Sequence, residues 1–81
     1  MITAAQIRSA RNAVRMSVSE LAVNSGVSTS TIKRIEAGTA LPKSTKANIL
    51  AIKSALEAAG IEFIGSPDDG PGIRIHTTPD T

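Results

Sequence analysis

Three places in this sequence carry the residue pattern with which helices begin. Thr3 and Ser17 are followed three residues later by Gln6 and Glu20, which is the spacing of a capping box. Ser28 supplies a third N-cap hydroxyl directly before the run T-S-T-I-K-R. The second and third caps are only 11 positions apart. The chain must therefore form two short helices in succession, joined by a tight turn.

Apolar residues and glycines set the bounds of these helices. Each cap is flanked by an apolar pair at the spacing of a hydrophobic staple, namely Ile2 with Ile7, Met16 with Leu21, and Val27 with Ile32. We predict helices over residues 4–14, 18–25 and 29–37. Gly26 suits the left-handed turn between the second and third helices, and Gly38 suits the end of the third.

The second half of the chain predicts one more helix and then two strands. A helix from about Thr45 to Ala59 is indicated by apolar residues at helical spacing, which are Ile49, Ile52, Leu56 and Ala59. After Gly60, residues 61–64 and 72–76 alternate as strands do, and the turn-rich segment S-P-D-D-G-P-G joins them. The expected fold is mainly α, with four helices followed by a β-hairpin and a flexible tail at 77–81.

Composition limits the class of protein. Eighty-one residues suit one domain, and twelve alanines with a single aromatic residue, Phe63, favour closely packed helices over a deep ligand pocket. The absence of cysteine excludes disulfides and thiolate metal sites, and it suits a reducing cytoplasm. No apolar run has the length of a membrane span, and the N-terminus lacks a signal-peptide pattern. We therefore expect a soluble cytoplasmic protein.

Charge divides the chain into a basic front and an acidic back. Residues 1–46 hold seven lysines and arginines against two glutamates, a net charge of +5. Residues 47–81 hold two cations against five acids, a net charge of −3. A basic front indicates a polyanionic partner, although an ordinary solvated surface would explain the charges as well.

The third predicted helix has an apolar inner side and a polar outer side. Ile32 and Ile35 share the core side, and the opposite side consists of Thr29, Ser30, Lys33 and Arg34. Short hydroxyl side chains let a helix approach base edges in the DNA major groove, and an arginine can form two hydrogen bonds to guanine. Hydroxyls also crowd helix starts because they cap, so the cluster alone is weak evidence for DNA binding.

Residues 17–38, S-V-S-E-L-A-V-N-S-G-V-S-T-S-T-I-K-R-I-E-A-G, resemble the helix-turn-helix of the lambda-repressor/Cro (XRE) family. The matching positions are Leu21, Ala22, Gly26, Val27, Ser28, Ile32, Ile35, Glu36 and Gly38. The resemblance covers roughly residues 2–59. The ending A-L-E-A-A-G-I-E-F-I…G-P-G-I-R-I looks like a subgroup of short bacterial regulators that add a strand pair. The resemblance implies a bacterial or phage-encoded transcriptional regulator, a repressor in type. Such a protein binds a palindromic operator in double-stranded DNA as a homodimer.

The resemblance also implies roles for single residues. Base contacts fall on Thr29, Ser30 and Arg34, with Lys33 within reach of base or phosphate. Phosphate contacts fall on Ser17 and Lys43, and a structural ion pair falls on Arg11 and Glu36. One position departs from the family pattern, because Val18 stands where the family usually has a glutamine that holds phosphate.

A two-stranded hairpin alone is only marginally stable in water, so the predicted hairpin must pack against another part of the chain or against a second copy. One face of it carries Ile61, Phe63, Ile73 and Ile75. We predict that residues 1–60 form the DNA-binding domain and that residues 61–76 join two copies into the dimer. The alternative is a flap that folds back over the fourth helix and buries Phe63 within its own chain.

We expect no enzymatic activity, no metal and no cofactor. His76 is the single histidine and has no catalytic arrangement near it, and Asp68-Asp69-Gly70 lacks the spaced ligands of a calcium loop. Phosphate-binding and dinucleotide-binding glycine motifs are absent from the sequence. The alternative function is a protein-binding module of the same fold, such as an antitoxin-like or anti-activator partner. That module should expose Leu, Phe or Met on the third helix.

Overall fold

The chain folds into four helices followed by one antiparallel hairpin. A computed structural model describes residues 2–38 and 44–76. In chain order the elements are α1 (Ala4–Ala13), α2 (Val18–Ser25), α3 (Thr29–Glu36), α4 (Lys46–Ala58), β1 (Ile61–Ser66) and β2 (Asp69–Ile75). The predicted fold class is confirmed. The predicted tail at 77–81 lies outside the described residues.

The helix starts are formed by the predicted caps. Thr3 Oγ1 accepts from Gln6 N at 3.1 Å, and Thr3 N donates to Gln6 Oε1 at 2.8 Å. The same reciprocal pair joins Ser17 and Glu20, at 3.0 and 2.9 Å. Ser28 Oγ accepts from Thr31 N at 3.3 Å and so caps α3. Each capping hydroxyl satisfies an amide that the helix itself leaves without a partner.

The end of α1 differs from the prediction, because it lacks glycine. Met16 N donates to Arg11 O at 3.0 Å and Arg15 N donates to Asn12 O at 3.1 Å, which are the two bonds of a Schellman motif. In this motif the residue after the C-cap must adopt a positive φ, and here that residue is Arg15, with φ 56°. The helix consequently ends at Ala13, one residue before the predicted end.

The core draws on every helix and on the hairpin. Its largest fully buried side chains are Ile7, Leu21, Ile32, Ile35, Ile52 and Leu56. Ile61 of β1 is only 3% exposed and belongs to the same core, while Phe63 and Ile73 pack against it. Ile49 packs at the margin of the core as well, but Ala59, which the helical spacing placed on the same face, is exposed beyond the end of α4. The hairpin and the bundle therefore share one core.

The hairpin is longer and its turn shorter than the sequence indicated. Ile61 pairs with Ile75 and Phe63 with Ile73, and the strands turn through only Pro67 and Asp68. The register shifts between Ile64 and Ser66. The glycines at 65, 70 and 72 indicate a loop by composition. In the structure they lie within the strands, and Gly65 lies at the shift in register.

Gly65 shows why the irregularity requires glycine. Its φ is 73°, and a Cβ at this position would lie 2.2 Å from the carbonyl oxygen of Gly70. A side chain would therefore overlap the opposite strand. Gly70 also has a positive φ, 61°, which only glycine adopts readily.

A buried amide joins the hairpin to the start of α1. Gln6 is 4% exposed, and its Nε2 donates to Ile64 O at 3.1 Å and to Gly72 O at 2.8 Å. The same side chain accepts the Thr3 amide through Oε1. One residue thus completes the cap of α1 and holds both strands. The sequence pattern indicated only the cap.

Replacing Gln6 with glutamate should separate these two roles. A carboxylate still accepts the Thr3 amide but cannot donate to the two carbonyls. We expect Gln6→Glu to lower the free energy of unfolding by about 1–3 kcal/mol at pH 7. Burial raises the pKa of a carboxyl, and its protonated form can donate. The loss should therefore shrink as the pH falls to about 4, as measured by urea unfolding.

The matched control is Glu20→Gln in the exposed capping box of α2. It also exchanges a carboxylate and an amide in a capping box, but Glu20 makes no hydrogen bond with the hairpin. Its cost should therefore stay at about 0.3–1 kcal/mol, the value of a charge near a helix terminus. If both substitutions cost the same, the bonds from Gln6 to the hairpin contribute nothing to stability.

Candidate nucleic-acid interface

The outer face of α3 brings together the four predicted base-contacting residues. Thr29, Ser30, Lys33 and Arg34 are all exposed. On the inner side, Ile32 is 0% and Ile35 is 1% exposed. The hydroxyl of Ser30 lies 3.3 Å from Ser28 Oγ, while the two cations follow one turn later. The helix therefore presents small hydrogen-bonding groups at its start and positive charge toward its end.

A short turn fixes α3 relative to α2. Gly26 adopts φ 74°, and its N–H donates to Ala22 O at 2.8 Å, which closes α2. Val27, 6% exposed, then enters the core, and its N–H donates to Ser25 Oγ at 3.2 Å. Because the turn is both hydrogen-bonded and anchored by a buried side chain, the two helices hold a defined angle.

The end of α3 is fixed to α1 by an ion pair. Arg11 Nε and Nη2 donate to the two carboxylate oxygens of Glu36, each at 2.8 Å. The exposed fractions of the two side chains are 16% and 8%. The hydrogen bonds that Arg11 donates to Glu36 raise the pKa of Arg11 above its ordinary value. The third nitrogen, Nη1, donates to Met16 O at 3.0 Å. One guanidinium therefore joins α1, the α1–α2 turn and α3.

A second arginine at this end was not assigned a role from the sequence. Arg8 Nη1 donates to the backbone carbonyl of Glu36. A cation is favourable at the C-terminal end of a helix, where carbonyl groups lack partners within the helix. The sequence does carry a sign of this role: Arg8 is three residues before Arg11, so both lie on the same face of α1. Arg8 thus supports the position of α3.

A family model described as a helix-turn-helix domain matches residues 3–62. The chain belongs to this helix-turn-helix family. Its type is that of the XRE/lambda repressors, as the resemblance of residues 17–38 implied, and such domains belong to DNA-binding regulators. A comparison with curated proteins gave no match.

At the start of the helix-turn-helix, the predicted phosphate contacts are only partly described. Ser17 is exposed, but its amide is already bound by Glu20 Oε1. This hydrogen bond lowers the pKa of Glu20, so the carboxylate stays charged close to the Ser17 hydroxyl. Val18 is half-buried and packs against the core. Lys43 lies outside the described residues.

The predicted dimerisation residues are divided between the core and the surface. Ile61 is buried, and Phe63 and Ile73 are half-buried against the core of their own chain, as the folded-back alternative described. Ile75 is 52% exposed. A contact with a second copy, which stays a prediction, would therefore use Ile75 and the edge of β2.

The outer face of the hairpin is charged. Glu62 Oε1 lies 2.6 Å from His76 Nε2 and 3.4 Å from Arg74 Nη1. The hydrogen bond with His76 lowers the pKa of Glu62. All three side chains are about half exposed, so this cluster adds little to stability.

Residues 2–38 and 44–76 lack two further features. No group of three or more His, Cys, Asp or Glu side chains within them could hold a metal ion. No helix in the same ranges is long and apolar enough to cross a membrane.

Removing Arg11 should destabilise the fold strongly. Arg11→Ala leaves the Glu36 carboxylate buried without its partner, and we expect the free energy of unfolding to fall by about 3–5 kcal/mol. Replacing both residues with apolar ones, Arg11→Met with Glu36→Leu, should recover much of this loss. Urea unfolding of the three proteins measures both effects.

The matched control is Arg74→Ala, which breaks the exposed pair with Glu62. Its cost should be about 0–1 kcal/mol, because water screens an exposed pair. Equal costs for Arg11→Ala and Arg74→Ala would contradict a structural role for the Arg11–Glu36 pair.

Proposed function

We propose that this protein is a sequence-specific transcriptional regulator that binds an inverted-repeat operator as a homodimer. The observation that carries the proposal is the outer face of α3, whose four side chains are all polar and exposed. A helix of this profile fits the major groove, where it can read base edges. We assign α3 to that groove.

Within this proposal the residues divide into those that read bases and those that bind phosphate. Thr29 and Ser30 lie at the start of α3, where short side chains approach base edges most closely. Arg34 can form two hydrogen bonds to guanine, and Lys33 reaches base or phosphate. Ser17 and Lys43 are assigned to phosphate, with Ser17 restricted to its hydroxyl because its amide is already bound.

The distribution of apolar surface disfavours the protein-binding alternative. The large apolar side chains exposed in the described residues are Val23 of α2, Leu50 of α4 and Ile75 of β2. None of them lies on α3. A protein-binding helix-turn-helix that used α3 would need such side chains there, since interface cores are depleted of charge.

The ladder of the hairpin indicates which edge would join two copies. His76 N donates to Gly60 O at 2.7 Å, and antiparallel pairs alternate between bonded and non-bonded. The pair of Ile61 with Ile75 is therefore non-bonded, and its backbone groups point outward to the two edges. Ile61 is buried, whereas Ile75 is exposed. The open edge is that of β2.

A two-fold axis beside Arg74 would make this edge self-complementary. Ile73 of one copy would then lie opposite Ile75 of the other, and each would exchange backbone hydrogen bonds. A centre nearer to Pro71 is disfavoured, because proline has no N–H to donate. The resulting four-stranded sheet would cover the exposed side chain of Ile75.

Selection of bound fragments from random duplex DNA tests the function directly. We expect an inverted repeat whose half-site centres are about 34 Å apart, or a multiple of that distance. A two-fold dimer imposes this symmetry on its site. Recovery of single half-sites, or of no preferred sequence, would contradict the proposal.

Substitution of Arg34 and Lys43 should separate base reading from phosphate binding. Arg34→Ala should cost about 1–3 kcal/mol on the selected sequence and little on unrelated DNA. Lys43→Ala should weaken all sequences alike and lower the salt dependence by about one unit of slope per bound protomer. Fluorescence anisotropy titrations over a range of salt measure both. The reverse pattern would exchange the two roles.

Ile75→Lys should prevent dimerisation without unfolding the chain. The side chain is already half exposed, so its replacement leaves the core intact, but it puts a charge where the four-stranded sheet would cover an apolar side chain. We expect a monomer in sedimentation, an unchanged helical signal and weaker operator binding. Val23→Lys, on the exposed surface of α2, serves as the control and should leave the dimer unchanged. A dimeric Ile75→Lys protein would place the contact elsewhere.

A further inference from the structure

Arg15 has a backbone conformation that the Schellman motif requires but that is unfavourable for a residue with a side chain. Among the non-glycine residues in 2–38 and 44–76, it alone has a positive φ, at 56°. It occupies the position after a helix where glycine is usual, because a Cβ is unfavourable in the left-handed conformation. Glycine at this site would be expected to make the fold more stable.

The side chain of Arg15 is exposed, and none of the described residues receives a hydrogen bond or an ion pair from it. The two arginines of α1 are both engaged with Glu36. Arg11 binds the carboxylate and Arg8 binds the backbone carbonyl. Arg15 is thus an arginine of this region whose charge is not used by the described fold.

The contacts of Arg11 place Arg15 beside the end of α3. Arg15 precedes Met16, whose carbonyl oxygen accepts from Arg11 at 3.0 Å. The same guanidinium holds Glu36, the last residue of α3, at 2.8 Å. The turn that carries Arg15 is therefore adjacent to the helix end that carries Lys33 and Arg34. The exposed Arg15 thus lies near the end of α3 whose last turn carries the exposed Lys33 and Arg34.

We propose that Arg15 contacts a DNA phosphate beside the groove that α3 enters. The contact carries no sequence information and adds one charge neutralisation for each bound protomer. This inference rests on the proposed function, since it needs a duplex at α3. A phosphate contact would also explain why this position holds an arginine, although glycine would adopt the positive φ at a lower cost in stability.

Arg15→Gly should change stability and DNA binding in opposite directions. Removing the Cβ relieves the backbone, so we expect the Tm to rise by about 4 °C. Removing the charge should weaken binding about three- to tenfold on selected and unrelated duplexes alike at low salt. It should also lower the salt dependence by about one unit of slope per protomer. Thermal unfolding and anisotropy titrations over a range of salt measure these effects.

Three further proteins sharpen the test. Arg15→Lys retains the charge and should keep the salt slope of the parent protein. Arg15→Asn, which tolerates a positive φ without charge, should bind like Arg15→Gly. Lys53→Gln removes a cation from α4 in the acidic half and should leave the slope unchanged.

The outcomes are distinct. If the parent protein binds the selected duplex and Arg15→Gly binds it with the same slope, Arg15 makes no phosphate contact and the inference fails alone. If the parent protein binds no duplex at any salt, the proposed function fails and this inference fails with it. Weaker binding by Arg15→Gly with a lower Tm would assign Arg15 to the fold, which also overturns the proposal.

Discussion

The geometry of this protein depends on the guanidinium of Arg11. Its nitrogens bind the carboxylate of Glu36 and the carbonyl of Met16, so α1, the α1–α2 turn and α3 meet at one group. A buried charge of this kind is tolerated only when its buried polar atoms have hydrogen-bond partners. The buried side-chain N and O atoms of the described residues all have partners, which meets that condition. The orientation of α3 follows from it.

Because the core is small, the fold depends on specific polar contacts such as those of Arg11. Domains of about this size have little stability to spare, and alanine-rich helices bury few carbons each. The hairpin compensates for this, because Ile61 enters the core and Phe63 and Ile73 cover its side. The strands are therefore part of the folded unit.

Local patterns predicted the helices well, because short-range chemistry determines where a helix begins. The two capping boxes and the Gly26 turn depend on residues a few positions apart, and they form as expected. The outer face of α3 followed from helical spacing, since one face must be buried. The pairing of Arg11 with Glu36 came from family resemblance and not from spacing, because the two residues are 25 positions apart.

Other features could not be predicted, because they depend on neighbours distant in sequence. The amide of Gln6 reaches Ile64 and Gly72, 58 and 66 residues away, and only the cap was visible locally. Arg15 occupies a glycine position without any local sign of it. The glycines of the hairpin indicate a loop, because glycine is typical both of a turn and of an irregularity in a strand ladder, and composition alone does not distinguish them.

The bond between Gln6 and Gly72 has a consequence for how the chain is made. The ribosome completes Gln6 well before its partner strands, because Gly72 follows it by 66 residues. At about 5–20 residues per second, synthesis of that interval takes roughly 3–13 s. During this time α1, α2 and α3 can form, yet the amide that the mature protein buries must bind water instead. The contact between α1 and the hairpin is therefore missing until the last strand is made.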